Sequence, residues 1–210
     1  MPLGEVRPQT AYHGRLTNNE IAAMSARNVA VIVGSLRKES FNRKLANAVI
    51  AIAPDTLAMT IVPIGDLPLY NQDLETESPP VQWTAFRDAI RGVDALLFVT
   101  PEYNRSLPGG LKNAIDVGSR PSGKGVWSRK PAAVISVTPG ALGAMAANLA
   151  LRQTLVAVNV ATMAGPEAFI GQAGTLFGDD GKLTNESTVD FLRKFLQAFE
   201  HWIERNGAQR

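Results

Sequence analysis

The 210-residue sequence predicts an α/β fold in which a parallel sheet carries helices on both faces. From Asn28 onwards, short apolar runs alternate with amphipathic segments of helix length. Such alternation is typical of parallel strands joined by right-handed crossovers. The first run, Val29–Val33, is continuously apolar, as expected for a strand buried on both faces. No internal repeat or low-complexity tract interrupts the pattern.

The first part of the pattern contains two strands and one helix. The strand at Val29–Val33 ends at Gly34-Ser35. A helix is predicted over Asn42–Ala53, because Pro54 cannot continue one. A second strand is predicted at Met59–Val62, and the residues that follow, rich in Pro, Gly and Asp, indicate a loop.

The middle of the chain continues the alternation. A helix is predicted over Val81–Arg91, because its large apolar side chains are three and four positions apart. A third strand, Ala95–Thr100, is stopped by Pro101. A third helix is predicted over Pro108–Val117, since proline is well suited to a first helical turn.

The last part supplies a fourth strand at Ala132–Val137, a helix at Leu142–Ala157, a fifth strand at Val160–Ala164 and a final helix at Glu186–Arg205. A Gly- and Asp-rich loop, 171–183, precedes that helix, whose apolar stripe indicates a packing face. The stripe consists of Val189, Leu192, Phe195, Leu196, Phe199, Trp202 and Ile203. In parallel sheets, ligands bind beyond the carboxyl ends of the strands. The loops after the first, third and fourth strands are therefore the candidate ligand-binding loops.

The length of the chain suits a single hydrophobic core. We predict one domain over residues 28–205 and a poorly ordered arm over residues 1–27, which show no clear apolar period. No apolar run approaches the roughly 20 residues that cross a bilayer. Residues 1–27 also lack the apolar segment of a secretory signal. We expect a cytoplasmic protein without membrane contact.

The composition excludes several kinds of chemistry. The sequence has no cysteine, so disulfides, thiolate metal sites and cysteine nucleophiles are absent. The two histidines, His13 and His201, lie near opposite ends of the chain, so a histidine metal site or a catalytic triad is poorly supplied. The net charge of +2 is spread along the chain, so no nucleic-acid partner is implied. Anionic small molecules remain possible ligands.

The loop after the first strand has the chemistry of a phosphate site. It reads Gly34-Ser35-Leu36-Arg37-Lys38-Glu39-Ser40-Phe41-Asn42 and leads directly into a helix. A helix N-terminus offers free N–H groups, to which Ser35, Ser40 and Asn42 add side-chain donors and Arg37 a guanidinium. A simple helix cap is the alternative, but a cap needs only one such residue. The loop matches neither the dinucleotide fingerprint nor the Walker loop, so a mononucleotide is favoured.

The loop after the third strand is the most distinctive stretch. It reads Thr100-Pro101-Glu102-Tyr103-Asn104-Arg105-Ser106-Leu107-Pro108-Gly109-Gly110. It combines an aromatic ring with amide donors, which is what a flat redox cofactor needs beside it. By spacing alone it could equally be a plain turn.

These two loops together resemble the NADPH-dependent FMN reductase family, to which chromate, quinone and azo-dye reductases belong. The matching residues are Gly34-Ser35-Leu36-Arg37, Ser40 and Asn42, followed by Pro101-Glu102-Tyr103-Asn104, Ser106, Pro108-Gly109, Leu111-Lys112-Asn113 and Ile115-Asp116. The resemblance implies a flavodoxin-like sandwich with strand order 2-1-3-4-5. This chain departs from many relatives at Ala144 and Ala146, where they have glycine and arginine.

The resemblance also implies a cofactor site. Ser35, Arg37, Ser40 and Asn42 would hold the FMN phosphate, with Phe41 beside them. Pro101, Glu102, Tyr103, Asn104 and Ser106 would run along the isoalloxazine ring, and Thr138 and Gly140 would meet its pyrimidine side. NADPH or NADH would be the donor in a ping-pong reaction, and quinones, azo dyes, chromate-like oxyanions or free flavin the acceptors. Neither a catalytic side chain nor a metal is required. Relatives also imply a homodimer or homotetramer, with the 69–73 loop near a neighbouring subunit.

Other functions are less well supported. An electron-carrier flavodoxin would usually be acidic, whereas this sequence has a pI near 9.0. A receiver domain would need an acidic pair after the first strand and an aspartate at the end of the third, but Gly34-Ser35 and Thr100 occupy these positions. A hydrolase using Ser35 would need a nearby histidine. For Glu102, a role in shaping the loop or meeting a subunit is favoured over proton transfer.

Overall fold

The computed structural model describes residues 26–207, and these form the predicted sandwich around a parallel sheet. The strands are β1 Arg27–Val33, β2 Leu57–Ile61, β3 Ala95–Thr100, β4 Pro131–Val137, β5 Ala161–Thr162 and β6 Ala168–Ile170. The helices are α1 Phe41–Ala51, α2 Val81–Arg91, α3 Gly109–Gly118, α4 Met145–Ala157 and α5 Glu186–Asn206. The order β2-β1-β3-β4-β5 confirms the predicted topology. Residues 1–25, most of the expected N-terminal arm, lie outside the described residues.

The two faces of the sheet bury different helices. Alternate residues of β1 point to opposite sides, with Val29, Val31 and Val33 in one core cluster and Ala30 and Ile32 in the other. The first cluster is completed by α1 and α5, and the second by α2, α3 and α4. This arrangement gives the three layers, and the apolar stripe of α5 is a packing face as predicted.

The far edge of the sheet differs from the prediction. The fifth strand was expected over Val160–Ala164, but only Ala161–Thr162 pairs with β4. Gly165-Pro166 then interrupts the chain, because proline cannot donate to a strand ladder. The chain rejoins the sheet as β6, which the sequence analysis did not predict and which also pairs with β4. β4 is therefore flanked on this side by two short strands.

The strand register brings the three candidate loops together at the carboxyl end of the sheet. Val33 is level with Val99, Thr100 with Ser136, and Val137 with Ile170. The N–H of Gly34 donates to the carbonyl of Val99 at 2.8 Å. The loops after β1, β3 and β4 consequently leave the sheet side by side. Within residues 26–207, no helix is long and apolar enough to cross a membrane.

Candidate functional site

The loop after β1 and the first turn of α1 bury three polar side chains. Ser35, Ser40 and Asn42 are only 3%, 2% and 4% exposed, whereas Arg37 is exposed. Ser40 is the N-cap of α1, and its Oγ accepts from the N–H of Arg43 at 3.3 Å. The N–H groups of Phe41 and Asn42, in the first turn, have no acceptor within their own helix. The loop therefore contains both the ordinary cap and additional donors beyond it.

Asn42 provides a test of whether a ligand fits here. Its Nδ2 donates to the carbonyl of Val137 at 3.4 Å, which links α1 to the end of β4. Its Oδ1 is buried and has no hydrogen-bond partner. A buried acceptor without a donor is unfavourable by about 1–3 kcal/mol. A ligand hydroxyl, such as one on a ribityl chain, would satisfy it, so the residues present fit a sugar-alcohol phosphate.

The loop after β3 contains a tight turn. The N–H of Tyr103 donates to the carbonyl of Ser106 at 3.0 Å, and the N–H of Ser106 returns a bond to Tyr103 at 3.1 Å. The central residues have positive φ, 51° at Asn104 and 65° at Arg105, as in a type I′ turn. Pro101 is buried and Tyr103 is 45% exposed. The turn thus presents an aromatic ring beside the edge of the sheet.

Glu102 connects this loop to α4. Its Oε2 accepts from the N–H of Ala147 at 3.2 Å, and its Oε1 lies 3.5 Å from Nη1 of Arg105. The Glu102 side chain is 17% exposed and that of Arg105 is 77% exposed. The carboxylate is therefore bonded within the protein, and its position supports the expected role in shaping the loop.

The loop after β4 is held from below by β6 and the residues after it. The N–H of Thr138 donates to Ile170 at 3.0 Å, and that of Gln172 donates to the carbonyl of Gly140 at 3.2 Å. Thr138 is half-buried and Gly140 exposed. Gly143 has a φ of 60°, a conformation that favours glycine. The unpredicted strand β6 is consequently what fixes this third loop.

A buried polar chain, which the sequence analysis missed, runs beneath the third loop. Asn148 donates to Ser136 Oγ at 3.2 Å and accepts from Arg152 Nε at 2.8 Å. Arg152 also donates from Nη1 to the carbonyl of Met163 at 2.7 Å, while its Nη2 is buried without a partner. Burial lowers the pKa of Arg152, and the carboxylate of Glu167 partly opposes that shift. Asn148 and Arg152, four residues apart on an apolar helix, were the available sequence signal.

The loop after β2 is clamped by α3. Asn113 accepts from the N–H of Tyr70 at 2.8 Å and donates to the carbonyl of Pro68 at 3.1 Å. The ring of Tyr70 stacks on Trp83 at 5.3 Å. Leu69 is nevertheless 79% exposed. A large apolar side chain is therefore presented to solvent from a rigidly held loop.

The structure brings most of the predicted site residues together, but not Phe41. Those of the three loops lie along one sheet edge, as the strand register requires. Phe41 differs, because its ring stacks on Phe177 at 6.1 Å and packs against the core cluster of α1 and α5. On the other side of the first loop, Leu36 and Arg43 line a cavity of about 390 Å³ with residues 62–66.

The described part of the chain offers few groups for histidine or metal chemistry. His201 is exposed on α5 and bonds through Nδ1 to the carbonyl of Gln197, while His13 lies outside the described residues. Within residues 26–207, no group of three or more His, Cys, Asp or Glu side chains could hold a metal ion.

Comparisons with known proteins are consistent along most of the chain. The family model described as NADPH-dependent FMN reductase matches residues 27–175. A quinone reductase of Pseudomonas putida is 59% identical over 181 residues, which are 86% of this chain and 97% of the relative. A 2-hydroxy-1,4-benzoquinone reductase of a Burkholderia species is 42% identical over 178 residues, 85% of this chain and 97% of the relative.

Solved structures similar to this chain include a flavoenzyme oxidoreductase and a flavodoxin. The flavoenzyme FerB of Paracoccus denitrificans, an NAD(P)H:(acceptor) oxidoreductase, superposes with a TM-score of 0.82 and 44% identity. The match covers 87% of this chain and 100% of FerB. A flavodoxin of Pseudomonas aeruginosa, at 17% identity and a TM-score of 0.52, covers 82% of this chain and 99% of its own. That likeness shows the fold alone.

Proposed function

The chain belongs to the NADPH-dependent FMN reductase family, and from this membership we propose that it transfers electrons from NAD(P)H to quinones. It is an oxidoreductase that uses FMN and NAD(P)H. The observation that carries the choice of acceptor is the 59% identity with a quinone reductase over nearly its whole length. The buried polar loop after β1 supports the same assignment.

The phosphate end of FMN is assigned to the first loop. The N–H groups of Phe41 and Asn42 and the hydroxyls of Ser35 and Ser40 supply neutral donors, and Arg37 supplies a charge. Hydrogen bonds to a charged group contribute roughly 1.5–3 kcal/mol each, so four or five of them would hold a dianion firmly. Because Arg37 is exposed and no ion pair to it is found in residues 26–207, its guanidinium is available.

The isoalloxazine end is assigned to the loops after β3 and β4. Pro101, Glu102, Tyr103, Asn104 and Ser106 would border one side, and Thr138 and Gly140 the other. FMN, when bound, supplies the redox chemistry, while the chain supplies position and fixed dipoles. No acid, base or nucleophile of the chain is assigned to the reaction.

The surroundings of this edge favour flat apolar acceptors. Leu36 is 54% exposed, Tyr103 45% and Leu142 63%, and these residues belong to the three loops. Apolar side chains at an open edge gain free energy when an aromatic molecule covers them. We further propose that donor and acceptor use this edge in turn, in a ping-pong reaction, and that azo dyes, chromate-like oxyanions and free flavin are secondary acceptors.

A homodimer or homotetramer completes the proposal. On α4, Met145, Leu149 and Val156 are exposed at spacings of four and seven. Such spacing places these three residues on one side of the helix. Together with Leu69, they are surfaces that a second subunit would cover. The cytoplasmic location expected from the sequence belongs to the same proposal.

A spectroscopic experiment tests the assignment. The purified full chain, saturated with FMN and freed of excess, should show flavin absorption that bleaches when NADPH is added without oxygen. A quinone added afterwards should restore the absorption. A protein that refuses FMN at micromolar concentration would contradict the proposal. A flavodoxin-type carrier would instead bind FMN but oxidise NADPH very slowly.

The phosphate assignment has its own variant pair. Arg37→Ala should weaken FMN binding by about tenfold or more, because a charge-assisted contact is lost. Lys124→Ala removes another exposed positive charge, in the loop between α3 and β4, and should leave binding unchanged. Equal effects of the two variants, measured by quenching of FMN fluorescence, would count against phosphate binding by the first loop.

A further inference from the structure

The N-terminus of α4 lacks a cap from its own sequence. Its N-cap residue is Ala144, which has no side-chain acceptor and a φ of 59°. Of the first free N–H groups, that of Met145 donates to Leu142 at 3.2 Å. Helices normally satisfy such donors with a Ser, Thr, Asp or Asn at this position. An acceptor from elsewhere in the chain is therefore needed.

Glu102 supplies that acceptor from 45 positions away. Its Oε2 lies 3.2 Å from the N of Ala147, in the first turn of α4, and Ala147 is fully buried. A carboxylate there also neutralises the partial positive charge of the helix end. The contact joins the loop after β3 to the helix that directly follows the loop after β4.

From this we infer that Glu102 is a positioning residue, which holds the two loops assigned to the isoalloxazine ring at a fixed separation. The inference rests on the proposed function, because it concerns the same site. Pro101, directly before Glu102, is buried where β3 ends, and its ring restricts the backbone that joins the sheet to Glu102. Arg105, at 3.5 Å but 77% exposed, adds only a screened interaction. The contact with Ala147 is therefore the one that matters.

The substitutions separate the bond from the charge. Glu102→Gln keeps an acceptor oxygen at the same reach and loses the charge, whereas Glu102→Ala loses both. In the FMN-free full chain, amide hydrogen exchange at Ala147 should be at least about fivefold faster in Glu102→Ala. Glu102→Gln should stay within about threefold of the wild type. Glu204→Ala, which removes an exposed carboxylate on α5, is the matched control.

Flavin affinity is the second measurement. Glu102→Ala should bind FMN about tenfold more weakly, and Glu102→Gln should restore most of the affinity. Accelerated exchange at Ala147 with unchanged FMN affinity would show a cap without a positioning role and would overturn the inference. Unchanged exchange in Glu102→Ala would overturn it as well. If the wild type itself refused FMN, the proposed function would fail and the positioning role with it, while the exchange data would still report on the cap.

Discussion

The hydroxyl of Ser136 donates to the carbonyl of Gly143 at 2.6 Å. Ser136 is fully buried near the end of β4, and Gly143 closes the third loop just before α4. The same hydroxyl oxygen accepts from Asn148 on α4. One serine thus ties strand, loop and helix together beneath the site, which gives the third loop a rigid base.

Removing that hydroxyl should destabilise the protein. Ser136→Ala leaves the Gly143 carbonyl without this donor and the Asn148 amide without this acceptor, at a cost of about 1–3 kcal/mol in the free energy of unfolding. Ser78→Ala, at an exposed position with no side-chain hydrogen bond found in residues 26–207, should change it by less than about 0.5 kcal/mol. Urea denaturation followed by circular dichroism measures both. Equal stabilities would show that water replaces the serine.

The turn after β3 contains a conformational strain that can be relieved. Arg105 has a φ of 65° at the third position of a type I′ turn, where glycine is strongly preferred. Arg105→Gly should therefore be more stable than Arg105→Ala by about 1 kcal/mol. Both variants remove the exposed pair with Glu102, so their difference isolates the backbone. The comparison uses the free energies of unfolding of the two FMN-free variants, and a more stable alanine variant would contradict it.

The bounds of elements that are delimited by proline or glycine could be predicted to the residue. The helix Val81–Arg91 and the strand Ala95–Thr100 begin and end where expected. Pro80, Gly92 and Pro101 delimit them; the helix has a clear apolar period and the strand is a continuous apolar run. β6 could not be predicted, because three residues carry no period and their pairing depends on a strand more than 30 positions earlier.

In the site, too, local features could be predicted and long-range contacts could not. The donors of the first loop could be predicted from the sequence, since a helix start and its neighbours in sequence make up most of the arrangement. The bond from Ala147 to Glu102 did not, because it joins two loops that only the sheet brings together. The buried chain through Ser136, Asn148 and Arg152 likewise depends on packing between β4 and α4. Sequence patterns identify which residues can bind, and the fold decides which bind one another.

Gly143 should tolerate no side chain. A Cβ there would lie 2.4 Å from the backbone C of Phe169 and 2.8 Å from the N of Ile170, and φ is already +60°. Gly143→Ala should therefore lose about 3 kcal/mol or more of unfolding free energy, since strand backbone cannot move aside cheaply. Gly174→Ala, with nothing within 4 Å of the added Cβ, should change stability by less than about 1 kcal/mol. Thermal melts of both variants test this. Two similar melting temperatures would show that the backbone of β6 moves aside to accommodate the added methyl group.

Lys130 should make the stability depend on alkaline pH. Its half-buried Nζ donates to the carbonyls of Arg91 and Val93 at the end of α2. Burial lowers the pKa of Lys130 below the ordinary 10.5, an effect that Asp94 opposes and Arg91 reinforces. Between the lowered pKa and 10.5, the unfolded chain binds the proton more tightly than the folded one, so stability rises with pH across this window.

The sign of this dependence is open to direct measurement. The free energy of unfolding of the wild type, minus that of Lys130→Met, should increase as the pH is raised from 7 toward 10.5, because the folded protein is progressively relieved of a desolvated charge. Lys124→Met, which removes an exposed lysine, is the control for general titration of the surface. Denaturant titrations at closely spaced pH values provide the data. A difference that falls with pH would mean that the carbonyl contacts stabilise the ammonium more than burial penalises it.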